Sequence, residues 1–157
     1  MNYHIITLPA LTVVGKKIRT TNKNWKCMTD INNLWSTIHT NNIFAQIPNP
    51  AQPFTILSVY TDYPADFNVF EDDYSVLIGA LITKVENIPS DLIIKEIPET
   101  KYAVFTAQGP FDTAIGATWQ EIWNSDIQRA FTSDFELYDA ASTNDENSIV
   151  KIYMAIK

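Results

Sequence analysis

The chain writes one pattern of elements twice, and that repeat limits what it can fold into more than any other feature. Ile5-Ile6-Thr7-Leu8-Pro9 leads into the apolar pair Val13-Val14, and Ile93-Ile94-Lys95-Glu96-Ile97-Pro98 leads into Tyr102-Ala103-Val104-Phe105 in the same way. Pro9 and Pro98 stand 89 positions apart, while Leu34-Trp35 and Ile122-Trp123 stand 88 apart. Proline cannot donate to a sheet ladder, so Pro9 marks an edge or a bend. Between the landmarks the period changes. Met28, Ile31, Leu34, Trp35 and Ile38 recur at three and four residues, one face of an amphipathic helix. Three prolines between Pro48 and Pro53 impose a loop. Strands are predicted over Phe54–Tyr60 and Tyr74–Lys84, then Leu92–Pro98 and Tyr102–Thr106. A second helix follows over Phe111–Ile127, with strands at Phe135–Asp139 and Ile149–Ile156. Each half reads strand–strand–helix–strand–strand, or βαββ when the proline bend is counted within one strand. The expectation is a single α+β domain over 1–157 with internal repeats 1–86 and 87–157.

Charge and composition remove whole classes of function. Eleven basic against eighteen acidic residues give a net charge of −7, which repels a phosphate backbone. The helical stretches carry no basic face, so direct nucleic-acid binding is not expected. One cysteine, Cys27, and two histidines, His4 and His39, make a poor metal set, and neither a metal nor a cofactor is expected. Four glycines cannot form a phosphate cradle. The longest apolar run, Val76 to Ile82, falls far short of the roughly 20 residues of a membrane-spanning helix. Residues 1–6 have no basic region before an apolar stretch, so the expected compartment is the cytoplasm.

The unusual content is aromatic: four tryptophans, seven tyrosines and eight phenylalanines in an acidic chain. Trp119 and Trp123 share a face of the second helix, where they either pack on the sheet or line a groove. In Phe135-Glu136-Leu137-Tyr138-Asp139, alternation sets Phe135 and Leu137 on one face and Glu136 and Tyr138 on the other. With Phe135 and Leu137 toward the helix, Glu136 and Tyr138 would line the opposite sheet face beside Tyr153 of the last strand. A carboxylate among aromatic rings is costly to bury alone, and becomes useful when a cation arrives. The other reading of Glu136 is an ordinary solvent-facing strand residue.

These residues also carry a family likeness. Pro98-Glu99-Thr100-Lys101-Tyr102 running on to Gly109-Pro110, then Thr118-Trp119-Gln120-Glu121-Ile122-Trp123, then Asp134-Phe135-Glu136-Leu137-Tyr138 resemble the GyrI-like effector-binding domain. Leu8-Pro9-Ala10, Val14-Gly15 and Val59-Tyr60-Thr61-Asp62-Tyr63 extend the likeness over most of the chain. That family supplies the ligand-sensing domains of AraC-type and MerR-type regulators, and similar standalone members are carried on integron cassettes. The resemblance implies two pseudo-twofold βαββ modules in an antiparallel sheet, with a ligand groove between them. It implies a pocket glutamate at Glu136, a pocket tyrosine at Tyr153, and further ligand-binding positions at Tyr138, Trp119, Trp123 and Tyr60. The expected ligand is an amphipathic cation, such as a lipophilic drug, and no enzyme activity is expected. A separate DNA-binding regulator chain is a candidate partner, with drug sequestration as another output. The alternatives are a protein-interaction module of the gyrase-inhibitor type and a hydrolase of small reactive compounds.

The charge balance generates one prediction directly. The purified chain leaves a duplex-DNA probe unshifted at physiological salt in a mobility assay, and a specific footprint would contradict it.

Overall fold

Pro9 and Ala10 separate two strands rather than bend one. A computed structural model of the chain describes residues 2–143 and 145–157; Met1, the first residue of the expected 1–157 domain, and Asn144 lie outside it. In the first half, β1 (Tyr3–Leu8) and β2 (Leu11–Thr21) precede α1 (Lys26–Thr40), followed by β3 (Ile56–Thr61) and β4 (Asp73–Ile82). In the second, β5 (Ile93–Ile97) and β6 (Thr100–Gly109) precede α2 (Phe111–Trp123), followed by β7 (Ser133–Tyr138) and β8 (Ser148–Ala155). Among the described residues the fold is α+β: one eight-stranded antiparallel sheet and two α-helices. Helix α2 stops at Trp123 instead of running to Ile127. The Ser125 hydroxyl donates to the Ile122 carbonyl and helps end the helix, a competition with the backbone that serine is suited to.

The strand order is β1-β6-β8-β7-β3-β4-β2-β5, so β7 and β3 meet at the centre and the two halves mirror one another about them. The first strand of each half is exchanged: β1 pairs with β6, and β5 pairs with β2. This exchange governs the shape of the sheet. Leu8 and Leu11 are joined by two residues, so their Cα atoms lie at most about 11 Å apart. Yet β1 and β2 are first and seventh in the sheet, roughly 29 Å apart if the sheet were flat. The link from Ile97 to Thr100 spans the same six strand spacings between β5 and β6. A flat sheet is therefore excluded, and the strands curl until the two ends of the sheet adjoin.

Curling closes one face of the sheet on itself. Val13, Leu57, Val59, Leu77, Tyr102, Val104 and Phe135 are all but fully buried there, in a core built from strands and lacking any helix. The other face carries both helices. Leu34 and Ile38 of α1 pack with Val14, Val76, Ile78 and Ala80, while Trp119 and Ile122 of α2 pack with Phe105, Val150, Ile152 and Met154. Tyr60 of β3 touches both of these helical cores. Among the described residues no helix is long and apolar enough to cross a membrane.

Two of the four glycines make the close approach of β2 to β4 sterically possible. Gly15 and Gly79 lie opposite one another in the β2–β4 pair. A Cβ on Gly15 would sit 2.0 Å from the Ile78 carbonyl oxygen, and one on Gly79 would sit 2.2 Å from that of Val14. Gly116, in α2, has nothing within 4 Å of its would-be Cβ. Alanine at the two positions therefore acts in opposite directions. Gly15→Ala is expected to cost about 1–3 kcal/mol or more through overpacking against rigid backbone. Gly116→Ala is expected to gain roughly 0.5–1 kcal/mol from helix propensity. Urea melts of the two variants check the pair.

Candidate functional site

The apolar stripe of α1 is wider than the core it covers. Leu34 and Ile38 turn inward to the sheet, whereas Met28, Ile31 and Trp35 face an open groove. Helix α2 does the same with Phe111, Ile115 and Trp123. Between the helices, over the central strands β3 and β7, lies a cavity of about 1200 Å³. It exceeds the usual 300–1,000 Å³ of a ligand pocket.

Glu136 lines this cavity from β7 and is 4% exposed. Its Oε1 accepts hydrogen bonds from the Tyr60 hydroxyl at 2.8 Å and the Trp119 indole Nε1–H at 2.7 Å. Its Oε2 accepts from the Tyr138 hydroxyl at 2.5 Å. All three donors are neutral, and among the described residues no lysine or arginine pairs with this carboxylate. Burial pushes the Glu136 carboxyl above its ordinary range, against the opposing pull of the three hydrogen bonds. Burial, and then the nearby Glu136 charge, hold the Tyr60 and Tyr138 hydroxyls well above the usual tyrosine value, so both remain donors.

Asp134, two residues earlier on the same face of β7, is fully buried under a different regime. Its Oδ2 accepts from Arg129 at 2.8 Å and from the Tyr63 hydroxyl at 2.7 Å, and its Oδ1 accepts from the Ala155 amide. Arg129 also borders the groove, but its guanidinium is committed to Asp134 and lies 4.4 Å above the Phe131 ring. One buried carboxylate on this strand thus has a cationic partner inside the protein. The other has none.

Aromatic rings complete the enclosure. Trp119 stands 5.3 Å from Tyr60 and 6.5 Å from Trp123 between ring centroids. Trp35 of α1 meets Tyr138 edge-on at 5.4 Å, so residues from both halves converge over β7. Phe70, in the loop between β3 and β4, reaches Trp123 at 6.2 Å.

Of the residues singled out from the sequence, Glu136, Tyr138, Trp119, Trp123 and Tyr60 come together around this cavity. Tyr153 does not. It stacks on Phe135 at 4.6 Å on the strand-only face, behind the sheet. The alternation in β7 runs as expected, but its sides are exchanged: Glu136 and Tyr138 face the helix, while Phe135 and Leu137 face the closed core. The reason is register. Tyr153 pairs with Phe135, and directly opposed residues share a face. The groove-lining residues Trp35 and Phe54 were not among the expected ligand contacts. For Trp35 a signal existed, since it repeats Trp123 at the same offset of 88.

Residues 4–156 match a family model described as Cass2, integron-associated effector binding protein. A Bacillus subtilis (strain 168) protein described as a candidate transcriptional regulator, YobU, is 31% identical over 127 residues, covering 79% of this chain and 78% of its own length. The integron cassette protein VCH_CASS2 from the mobile metagenome of Vibrio cholerae superposes with a TM-score of 0.75 at 26% identity. It covers 99% of this chain and 95% of its own. SAV2435, solved bound to tetraphenylphosphonium, has the same fold, with a TM-score of 0.82 at 22% identity over 100% of this chain and 94% of its own.

The raised carboxyl sets a pH dependence. A group whose value is raised by folding favours the folded chain below its ordinary value, and that contribution fades as the pH rises through the raised value. Wild type is therefore expected to lose stability relative to Glu136→Gln as the pH climbs from about 4.3, the ordinary glutamate value, to 8. Paired melting curves across that range check the sign. A difference that is constant, or that grows in favour of wild type, contradicts it.

Proposed function

This chain belongs to the Cass2 integron-associated effector-binding family, and from that membership and the groove's chemistry we propose that it binds amphipathic small cations between its two helices. The observation that carries the reading is the contrast on β7. Asp134 is neutralised from within by Arg129, whereas Glu136 has only neutral donors and aromatic rings around it. Burying such a charge opposes folding unless something compensates it. A ligand cation compensates it, and the faces of Trp35, Trp119 and Trp123 add cation–π attraction. In this reading Glu136 neutralises the ligand, Trp119, Tyr60 and Tyr138 hold the carboxylate and wall the pocket, and Trp35 and Trp123 clasp the ligand's apolar body. The tetraphenylphosphonium bound to SAV2435 supports the same ligand class.

The chain then acts as a binding protein in the cytoplasm and not as an enzyme. The regulator-like description of the Bacillus relative supports an output in transcription, delivered through a separate DNA-binding chain. A cavity of this size favours small-molecule binding over the protein-interaction reading. Tryptophan quenching by a ligand, without product formation, separates binding from hydrolysis.

Thermal shift and calorimetry test the reading together. A lipophilic cation at 100 times its dissociation constant is expected to stabilise the chain by about 2.7 kcal/mol, several degrees in melting temperature, while a size-matched anion leaves it unmoved. Glu136→Gln is expected to weaken the cation by roughly ten- to a hundred-fold and to leave a neutral isostere unchanged. Asp134→Asn is expected to lower stability without altering the preference for cation over neutral. Equal stabilisation by the anion, or unchanged cation affinity in Glu136→Gln, removes Glu136 from the site.

A further inference from the structure

Three fixed donors use up most of what the Glu136 carboxylate can offer. An ionised carboxylate presents about four lone-pair positions on its two oxygens. The Tyr60 hydroxyl and the Trp119 indole occupy Oε1, and the Tyr138 hydroxyl occupies one side of Oε2. A single position remains. The donors are also held in place. Trp119 is 8% exposed within the core of α2, and Tyr60 is wedged between Trp119 and Tyr74 at 5.3 and 6.1 Å. Tyr138 is flanked by Trp35 and Phe111. When ionised, the carboxylate therefore has a charge without a cationic partner and a hydrogen-bonding capacity that is nearly spent.

We propose that the groove selects cations that carry no N–H donors, such as quaternary ammonium or phosphonium groups, over primary ammonium or guanidinium groups on the same scaffold. This rests on the cation reading above and narrows it. A primary ammonium brings three donors and a guanidinium five, and those turned toward Glu136 give up water to reach it. At Glu136 one acceptor position meets them, and donors left without a partner are a net cost. A quaternary centre has no donors to satisfy. It takes the full electrostatic attraction and the contact with the rings, both of which are independent of lone-pair direction. The other polar side chains of the lining are either exposed, as Asn32, His39 and Thr143 are, or already engaged, as the Ser142 hydroxyl is with the Ile149 carbonyl and the Asp139 amide. Asp112, Asp139 and Asp145 are exposed at its rim, with the Asp139 carboxylate already accepting from the Ala141 amide. Asn22 Oδ1 accepts the Tyr74 hydroxyl.

The same geometry identifies Tyr60 and Tyr138 as positioning and specificity-determining residues. Removing either hydroxyl returns a lone-pair position to Glu136 and leaves the ring in place. The test uses three probes on one scaffold: 2-naphthylmethyl-trimethylammonium, 2-naphthylmethylammonium, and the neutral 2-neopentylnaphthalene. Each is titrated into wild type, Tyr138→Phe and Tyr60→Phe at pH 8, with a melting curve confirming that each variant is folded. Wild type is expected to bind the trimethylammonium at least ten-fold more tightly than the primary ammonium. In each tyrosine variant that ratio is expected to shrink at least three-fold through tighter binding of the primary ammonium. The extra methyl groups are the same against every variant, so their hydrophobic contribution cancels in the change of ratio. A wild-type preference for the primary ammonium overturns the proposal, as does a ratio that stays put in both folded variants. If only one variant folds, that one decides. If the trimethylammonium outbinds the neutral probe but the ratio does not move, only this proposal fails. If the neutral probe binds wild type as tightly as either cation, the cation reading fails and takes the selectivity with it.

Discussion

Two connections of two residues each, Leu8 to Leu11 and Ile97 to Thr100, hold this fold in shape. Each joins strands that sit six places apart in the sheet, and no flat sheet lets so short a chain cover that distance. The curl that results provides a core without helices on one side and frees the other side for α1 and α2. It places β3 and β7 at the centre, under the gap between the helices. The groove is the space that two flanking helices leave over the middle of a curled sheet. Proline is well suited to the links, since it needs no ladder partner, and the Gly15–Gly79 pair admits the close approach of β2 to β4.

The chemistry of the groove turns on how two carboxylates on one strand face are treated. Asp134 has an arginine, a tyrosine hydroxyl and a backbone amide, and all of its contacts lie within the protein. Glu136 has two hydroxyls and an indole, which steady a negative charge but do not cancel it. The surrounding rings lower the local polarity and make that charge felt. A buried carboxylate without a cationic partner is thus a cost to the folded domain.

Much of this was legible in the residue order because it is local. The 88- and 89-residue offsets marked the duplication, the three-and-four spacing of Met28, Ile31, Leu34 and Ile38 marked α1, and the Phe-Glu-x-Tyr alternation joined Glu136 to Tyr138. The exchange of β1 and β5 between halves was not legible, because local pattern says which residues form a strand and not which strand it pairs with. The width of α1's apolar stripe was visible, but its division between core and groove was not. That division depends on where the sheet passes beneath the helix.

By itself the sequence determined the elements, their repetition, and the grouping of Glu136 with Tyr138 and of Trp119 with Trp123, since periods of two and about 3.6 residues are properties of a single segment. Only the tertiary structure decided which face of β7 meets the helix. Register is set by strands that are distant in the chain, and a choice of face moves every side chain of a strand at once. Tyr153 shows the consequence. Paired with Phe135, it lies behind the sheet in the closed core, while Tyr60, 76 positions before Glu136 in the chain, is brought by the β3–β7 pairing to within 2.8 Å of its carboxylate.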